Sequence, residues 1–241
     1  MRWLWILGLL PCLSWASLLV NGPNCLNTVL VQQGIAQSYR YTSNVEMQVV
    51  LESPLCRRLP PSQKAANTIG VVRDEGRFAQ PGIYSHAYVY LGEGLAFEKI
   101  GQAVSASQRL GPERQILEDY EAGVLTRIDY YQCDGHAAWQ RGLSQEQRLR
   151  LNSMNRFEEE ISELMARSLH TGVERELRKL GQRLRSFGRN LRGDDFLDVL
   201  LLGRLVSLGY QLDLLGDGSL QELTRAFELD ATRLPELPQV L

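Results

Sequence analysis

Residues 85–99 read SHAYVYLGEGLAFEK and predict a β-hairpin. Valine, tyrosine and phenylalanine favour strands, and the Gly-Glu-Gly of residues 92–94 supplies a turn between two such runs. If this turn is a three-residue loop, His86 faces Ile100 across the ladder and lies one pair away from Glu98, on the same face of the sheet. The hairpin therefore predicts an imidazole beside a carboxylate, although a surface cross-strand contact would also explain Glu98.

Short runs on either side of the hairpin have the same composition. They are rich in Val, Ile, Tyr and Phe and are bounded by turn residues, which is typical of an antiparallel sheet. We predict strands over residues 69–73, 84–91, 95–100 and 124–131.

A helix is predicted over residues 25–37, because Asn24 can cap it, Pro23 precedes it and apolar residues recur at helical spacing. Cys25 lies in the first turn, where the positive end of the helix dipole favours a thiolate. The unpaired N–H groups of that turn can receive an oxyanion, so Cys25 and Asn24 are candidates for this role through the backbone or a side chain. Alternatively, Cys25 is a small buried hydrophobe or one half of a disulfide.

Composition limits the class of protein. The chain has 241 residues, 44% of them hydrophobic, with 26 basic and 28 acidic side chains, which is ordinary for a folded protein. A net charge of −2 gives no global reason to expect a nucleic-acid partner. The sequence has no recognisable metal motif, no GxGxxG or P-loop pattern and no GxSxG elbow, so we expect no metal site and no cofactor.

Residues 1–16 differ from the rest of the chain. Arg2 is their one charge, an apolar run covers residues 3–13, and small residues follow, so we predict a cleaved signal peptide. A membrane anchor would need about 20 apolar residues, and a lipoprotein signal ending at Cys12 would have Pro11 where a small residue is wanted. Export, together with the absence of an Asn-x-Ser/Thr sequon, favours a periplasmic or secreted bacterial protein.

The pattern becomes helical after about Trp139, so we divide the mature chain into residues 17–138 and 139–241. Helices are predicted over residues 144–167, along an apolar stripe from Val173 to Leu191, and over the very apolar residues 196–215. The stripe fits a helix packed on its neighbours or a coiled-coil seam. The fold class is therefore α+β, with an all-helical C-terminal region.

Residues 167–192 contain eight Lys or Arg side chains and two acidic ones. This local excess could contact an anionic polymer or a protein partner, and a solvated helix face is the ordinary alternative.

The hairpin from His86 to Glu98 resembles the histidine hairpin of the NlpC-type cysteine peptidases, which have a papain-like fold. Asn24 and Cys25, at the start of an upstream helix, are similar in place and order to that family's nucleophile. The resemblance covers roughly residues 21–131, with Asn24 where the family commonly has Asp and Glu98 where it usually has His, Asn or Gln.

The resemblance implies a papain-like antiparallel sheet packed on a nucleophile helix, and an exported thiol hydrolase that cleaves amide bonds. Its classical substrates are peptidoglycan peptides, with an acyl-enzyme on Cys25, His86 as the base and Glu98 as the third catalytic residue. A helix-terminal nucleophile would be lost if it were paired, so we predict a disulfide between Cys56 and Cys133. The alternative is a non-catalytic exported binding or scaffold protein with the same fold.

Overall fold

The computed structural model describes residues 23–74, 84–101, 106–134, 140–167, 174–193 and 195–213. The predicted signal peptide and Cys12 lie outside the described residues. The described part of the chain is a mixed α+β structure, as predicted, with one six-stranded antiparallel sheet and six α-helices.

The strand order in the sheet is β1-β6-β2-β3-β4-β5. The four predicted strands are confirmed to within two residues at each end. The strands are β1 (Cys56–Leu59), β2 (Thr68–Asp74), β3 (Tyr84–Gly92), β4 (Leu95–Lys99), β5 (Gln108–Pro112) and β6 (Thr126–Cys133).

The two strands that we did not predict, β1 and β5, form the edges of the sheet. They read CRRL and QRLGP, with arginine and proline in place of the β-branched and aromatic residues of the central strands. Edge strands carry such residues because one side of each faces solvent, and these residues hide the strand signal in the sequence.

The helices are α1 (Cys25–Gln32), α2 (Asn44–Glu52), α3 (Glu113–Asp119), α4 (Gln145–Arg167), α5 (Glu174–Gly188) and α6 (Phe196–Asp213). Helices α2 and α3 were not predicted. Helix α1 ends five residues before the predicted end because Gly34 adopts a left-handed conformation with φ of 67°. The N–H groups of Ile35 and Ala36 then turn back to the carbonyl of Leu30, which is how glycine commonly terminates a helix.

Two hydrophobic clusters lie against the sheet. One packs the apolar side chains of α1 and α2 against Ile69, Val71 and Val89, and the other gathers Tyr88, Tyr130 and Ile116. A third cluster fills the space among α4, α5 and α6, where α5 contributes Leu177, Leu180 and Leu184.

Helix α5 therefore packs on its neighbours, the first of the two arrangements considered for the apolar stripe. Helix α6 is also a core helix: Leu197, Leu201 and Leu205 are fully buried. Within the described residues, no helix has the length and apolar character needed to cross a membrane.

The helical region is joined to the sheet region through α6. This helix crosses α2 closely, since a Cβ atom on Gly203 would lie only 3.1 Å from the Cα of Glu46. Val199 and Leu200 complete the cluster under the sheet. The architecture changes between β6 and α4, near the predicted boundary, and the two regions then pack on each other through α6.

A buried network of charges accompanies this packing. The Arg40 guanidinium binds both carboxylate oxygens of Glu46, at 2.7 and 2.5 Å, and its Nε lies 2.9 Å from Glu158. Glu158 also accepts a hydrogen bond from the Nε of Arg204 at 2.7 Å. The four side chains are at most 5% exposed, and their two positive and two negative charges cancel.

The predicted disulfide between Cys56 and Cys133 is present, with the two residues directly opposite each other in the β1–β6 ladder. Cys25 is a free thiol. The alternative in which Cys25 forms half of a disulfide is therefore wrong for this structure.

Gly70 on β2 allows the Tyr88 ring of β3 to lie directly over the strand backbone. A Cβ atom at position 70 would fall 2.3 Å from the ring, and Tyr88 is fully buried. We expect Gly70→Ala to lower the free energy of unfolding by about 2 kcal/mol or more, because the core cannot absorb the added methyl group. Urea denaturation measures this change.

Gly111→Ala on β5 is the matched control, since its nearest neighbour, a side-chain atom of Arg109, would lie 3.9 Å from the new Cβ. An equal effect of the two substitutions would contradict the steric explanation.

Candidate active site

The hairpin brings His86 and Glu98 together. Strands β3 and β4 pair Tyr88 with Glu98. His86 lies two residues before Tyr88 on β3, so its side chain is on the same face of the sheet as that of Glu98, as the sequence predicts. The imidazole Nε2 lies 2.6 Å from a carboxylate oxygen of Glu98. His86 is 1% exposed and Glu98 is 2% exposed, so Glu98 is a buried partner of the imidazole and not a surface residue.

Helix α1 brings Cys25 to the same place. It packs against β3 and β4, and Cys25 is its first residue. The Cys25 side chain interacts with the His86 imidazole and contributes to the raised pKa of His86. Because Nε2 of His86 faces Glu98, Nδ1 is the ring nitrogen left for the sulfur. The structure thus brings the side chains of Cys25 and Glu98 to the imidazole of His86.

The start of α1 is fixed by Asn24, whose Oδ1 accepts a hydrogen bond from the backbone N–H of Asn27 at 3.0 Å. The amide of Asn24 also donates to the carbonyl of Thr42 at 2.6 Å, and its side chain is buried. This side chain therefore serves the cap and not an oxyanion. Of the two oxyanion candidates, the backbone N–H groups of the first turn, beginning at Cys25, remain.

Residues 40–42 lie against this first turn. The Asn27 side chain accepts from the backbone N–H of Arg40 at 2.9 Å and donates to the Thr42 hydroxyl at 3.2 Å. Asn24 and Asn27 flank Cys25, so the same two side chains that hold residues 40–42 also position the thiol. The cap is predictable from the sequence, but this second role of the two asparagines is not.

The surroundings of His86 favour its protonated form. Burial opposes protonation, but hydrogen bonds with Cys25 and Glu98, together with the negative charges of both groups, raise the pKa of His86 to about 9. An imidazolium beside a sulfur stabilises the thiolate, which is the nucleophilic form.

Glu98 has a second partner, Arg109, which is directly opposite it in the β4–β5 ladder. The Nε of Arg109 donates to Glu98 at 2.6 Å. Burial opposes ionisation of this carboxyl, but the hydrogen bonds from His86 and Arg109 outweigh burial and hold the pKa of Glu98 below its ordinary value. Each of the two carboxylate oxygens thus has a cationic partner.

Tyr120, just after α3, covers the imidazole. Its ring stacks on that of His86, with centroids 4.6 Å apart and an angle of 13° between the planes. Burial raises the pKa of Tyr120 to about 12, with contributions from the negative charges of Cys25 and Glu98. Neither Arg109 nor Tyr120 has a local sequence signature, since both reach the site only through the pairing of β5 with β4.

Two further side chains interact electrostatically with the Cys25 sulfur. Burial raises the pKa of Tyr41, with contributions from Tyr210 of α6 and from Cys25. Burial lowers the pKa of Lys99, and the charge of Cys25 opposes that change. The rings of Tyr41 and Tyr210 lie 6.1 Å apart, so the C-terminal helical region reaches the neighbourhood of the thiol.

The basic segment 167–192 is described in part. On α5, Arg175, Arg178 and Lys179 are exposed, while Arg183 pairs with Glu160 at 2.5 Å. Arg167, at the end of α4, pairs with Glu176 at 2.8 Å. A contact with an anionic polymer or a protein partner stays a prediction.

The described ranges contain no group of three or more His, Cys, Asp or Glu side chains that could hold a metal ion. Cys25, His86 and Glu98 offer a thiol, an imidazole that can exchange protons with it, and a carboxylate that can orient the imidazole.

No protein-family model, no curated protein and no solved structure matches this chain. The resemblance to the NlpC-type peptidases therefore stays a prediction.

We expect iodoacetamide to alkylate Cys25 at pH 6.5 faster than it alkylates an ordinary thiol of pKa about 8.5, because the neighbouring imidazolium favours the thiolate. His86→Ala should remove this advantage. The rate is measured by mass spectrometry of the Cys25 peptide, with glutathione as the reference thiol. A slow reaction that does not depend on His86 would contradict the thiolate–imidazolium pair.

Proposed function

We propose that the protein is an exported thiol hydrolase that cleaves amide bonds, with peptidoglycan peptides as its substrates. The observation that carries this proposal is the position of His86, whose imidazole lies 2.6 Å from the buried carboxylate of Glu98 and interacts with the Cys25 side chain. Nucleophile, base and orienting group have this arrangement in cysteine hydrolases.

In the first half of the proposed reaction, the Cys25 thiolate attacks the carbonyl carbon of the amide. The N–H groups at the start of α1 stabilise the oxyanion, and the His86 imidazolium donates its proton to the leaving amine. In the second half, the neutral imidazole takes a proton from water. The resulting hydroxyl attacks the thioester carbon, the C–S bond breaks, and the carboxylic acid leaves.

The fold supports this proposal at the level of architecture. A papain-like hydrolase packs its nucleophile helix against an antiparallel sheet whose strands carry the histidine and the third residue. The packing of α1 against β3 and β4, which carry His86 and Glu98, supports this proposal. The disulfide between Cys56 and Cys133 supports a periplasmic or secreted location, because such bonds persist in oxidising compartments. The exposed basic side chains of α5 are the proposed contact for an anionic wall polymer or a protein partner.

Digestion of purified bacterial cell-wall material tests the proposal. The mature wild-type protein should release peptide fragments whose masses identify the amide bond that is cleaved, and Cys25→Ala should release none. Both proteins should have the same urea midpoint, because the Cys25 thiol is partly exposed and contributes little to the hydrophobic core. If neither wall material nor its isolated peptides are cleaved, the scaffold alternative becomes the better explanation.

Substitutions of Glu98 distinguish whether its hydrogen bond to the imidazole or its negative charge matters for turnover. In Glu98→Gln one oxygen can still accept the imidazole N–H, but the amide nitrogen then faces the donors of Arg109. We expect turnover of a wall peptide to fall several-fold in Glu98→Gln and by about tenfold more in Glu98→Ala, which no longer orients the imidazole.

Turnover and a urea midpoint should be measured on the same three proteins. Near-wild-type turnover in both variants would remove Glu98 from the proposed triad and leave Cys25 and His86 as a dyad.

A further inference from the structure

Arg109 and His86 share one carboxylate. The Oε2 atom of Glu98 faces the imidazole, and the Oε1 atom faces the Nε of Arg109, at 2.6 Å in both cases. Arg109 also donates to Asp119 at 3.0 Å. Strand β5 and the end of α3 thus complete the hydrogen bonding of the carboxylate that orients the imidazole.

We propose that Arg109 is a positioning residue that divides the charge of Glu98 between two cations, and so allows the His86 imidazole to release its proton during the reaction. A carboxylate that faced the imidazole alone would stabilise the imidazolium more strongly, because no second cation would compete for its charge. Arg109 is a permanent cation, so its effect is constant with pH.

The two halves of the proposed reaction need opposite charge states of His86. Acylation uses the imidazolium as an acid, whereas hydrolysis of the thioester needs a neutral imidazole to accept a proton from water. If the imidazolium were too stable, the acyl-enzyme would accumulate. Arg109 therefore acts on the second half, and this consequence rests on the proposed function.

The titratable or charged groups around His86 come from four elements. They are Cys25 on α1, Glu98 and Lys99 on β4, Arg109 on β5, and Asp119 and Tyr120 at the end of α3. Tyr120 is uncharged at neutral pH, since its pKa is raised to about 12. Arg109 contacts the carboxylate partner of His86 directly.

The test is an NMR titration of the His86 imidazole in the full mature protein, with the signal assigned from His86→Gln. Removal of the positive charge in Arg109→Gln should raise the pKa of His86 by about one unit, and Arg109→Lys, which keeps the charge, should restore most of the wild-type value. Arg114→Gln is the matched control, because Arg114 is 86% exposed on α3 and pairs with Glu118 instead of Glu98.

An unchanged or lowered pKa of His86 in Arg109→Gln would overturn the proposal. Asp119→Asn gives a second test that keeps Arg109 in place. Without Asp119, the guanidinium faces Glu98 alone, and the pKa of His86 should fall relative to Glu118→Gln, a matched change on the same helix. A rise in Asp119→Asn would contradict the proposed division of charge.

These titrations do not depend on activity, so they separate the proposal about Arg109 from the proposed function. If the protein hydrolyses wall peptides, Arg109→Gln should slow thioester hydrolysis near neutral pH and regain the rate as pH rises. Mass spectrometry of the acyl-enzyme on Cys25 measures this step. A loss of rate that is the same at every pH would indicate a merely structural role for Arg109.

Discussion

A buried guanidinium holds the two regions of this protein together. The Arg40 guanidinium is buried, so its positive charge must be neutralised within the fold. The carboxylates of Glu46 on α2 and Glu158 on α4 do this. Glu158 is shared with Arg204 of α6, so sheet-side and C-terminal helices meet in one cluster without net charge. Removal of one member would leave an uncompensated buried charge, which typically costs about 3–5 kcal/mol. The positions of α2, α4 and α6 are therefore mutually dependent.

The same residue connects this cluster to the candidate active site. The backbone N–H of Arg40 donates to Asn27, and Thr42 is bound by Asn24, the cap of α1. A continuous set of hydrogen bonds thus runs from the C-terminal helices to the helix that presents Cys25. The C-terminal region is in this respect a support for the candidate site, because its helices share this network with the helix that carries Cys25.

The parts of the site that the sequence predicts are those encoded locally. The alternation of residues along β3 and β4, with a glycine-rich turn between them, sets the register that brings His86 to Glu98, and a capping residue marks the start of the helix at Cys25. Arg109 and Tyr120 could not be found in this way. Strand β5 lacks strand-forming residues because it is an edge, and its partner is chosen by tertiary pairing. Likewise, nothing in the residues around Arg40 predicts its contact with Glu158, which lies more than a hundred positions away in the sequence.

The pairing of β1 with β6 also determines which cysteines form the disulfide. Among Cys25, Cys56 and Cys133, any two could pair under oxidising conditions while the chain is unfolded. Strand pairing sets Cys56 opposite Cys133, and the packing of α1 against β3 and β4 places Cys25 near the His86 imidazole, so the fold selects one of the three pairings among these cysteines. A slip of one residue would turn the Cys133 side chain to the other face, away from its partner. The register that joins Cys56 to Cys133 therefore also leaves Cys25 as a free thiol.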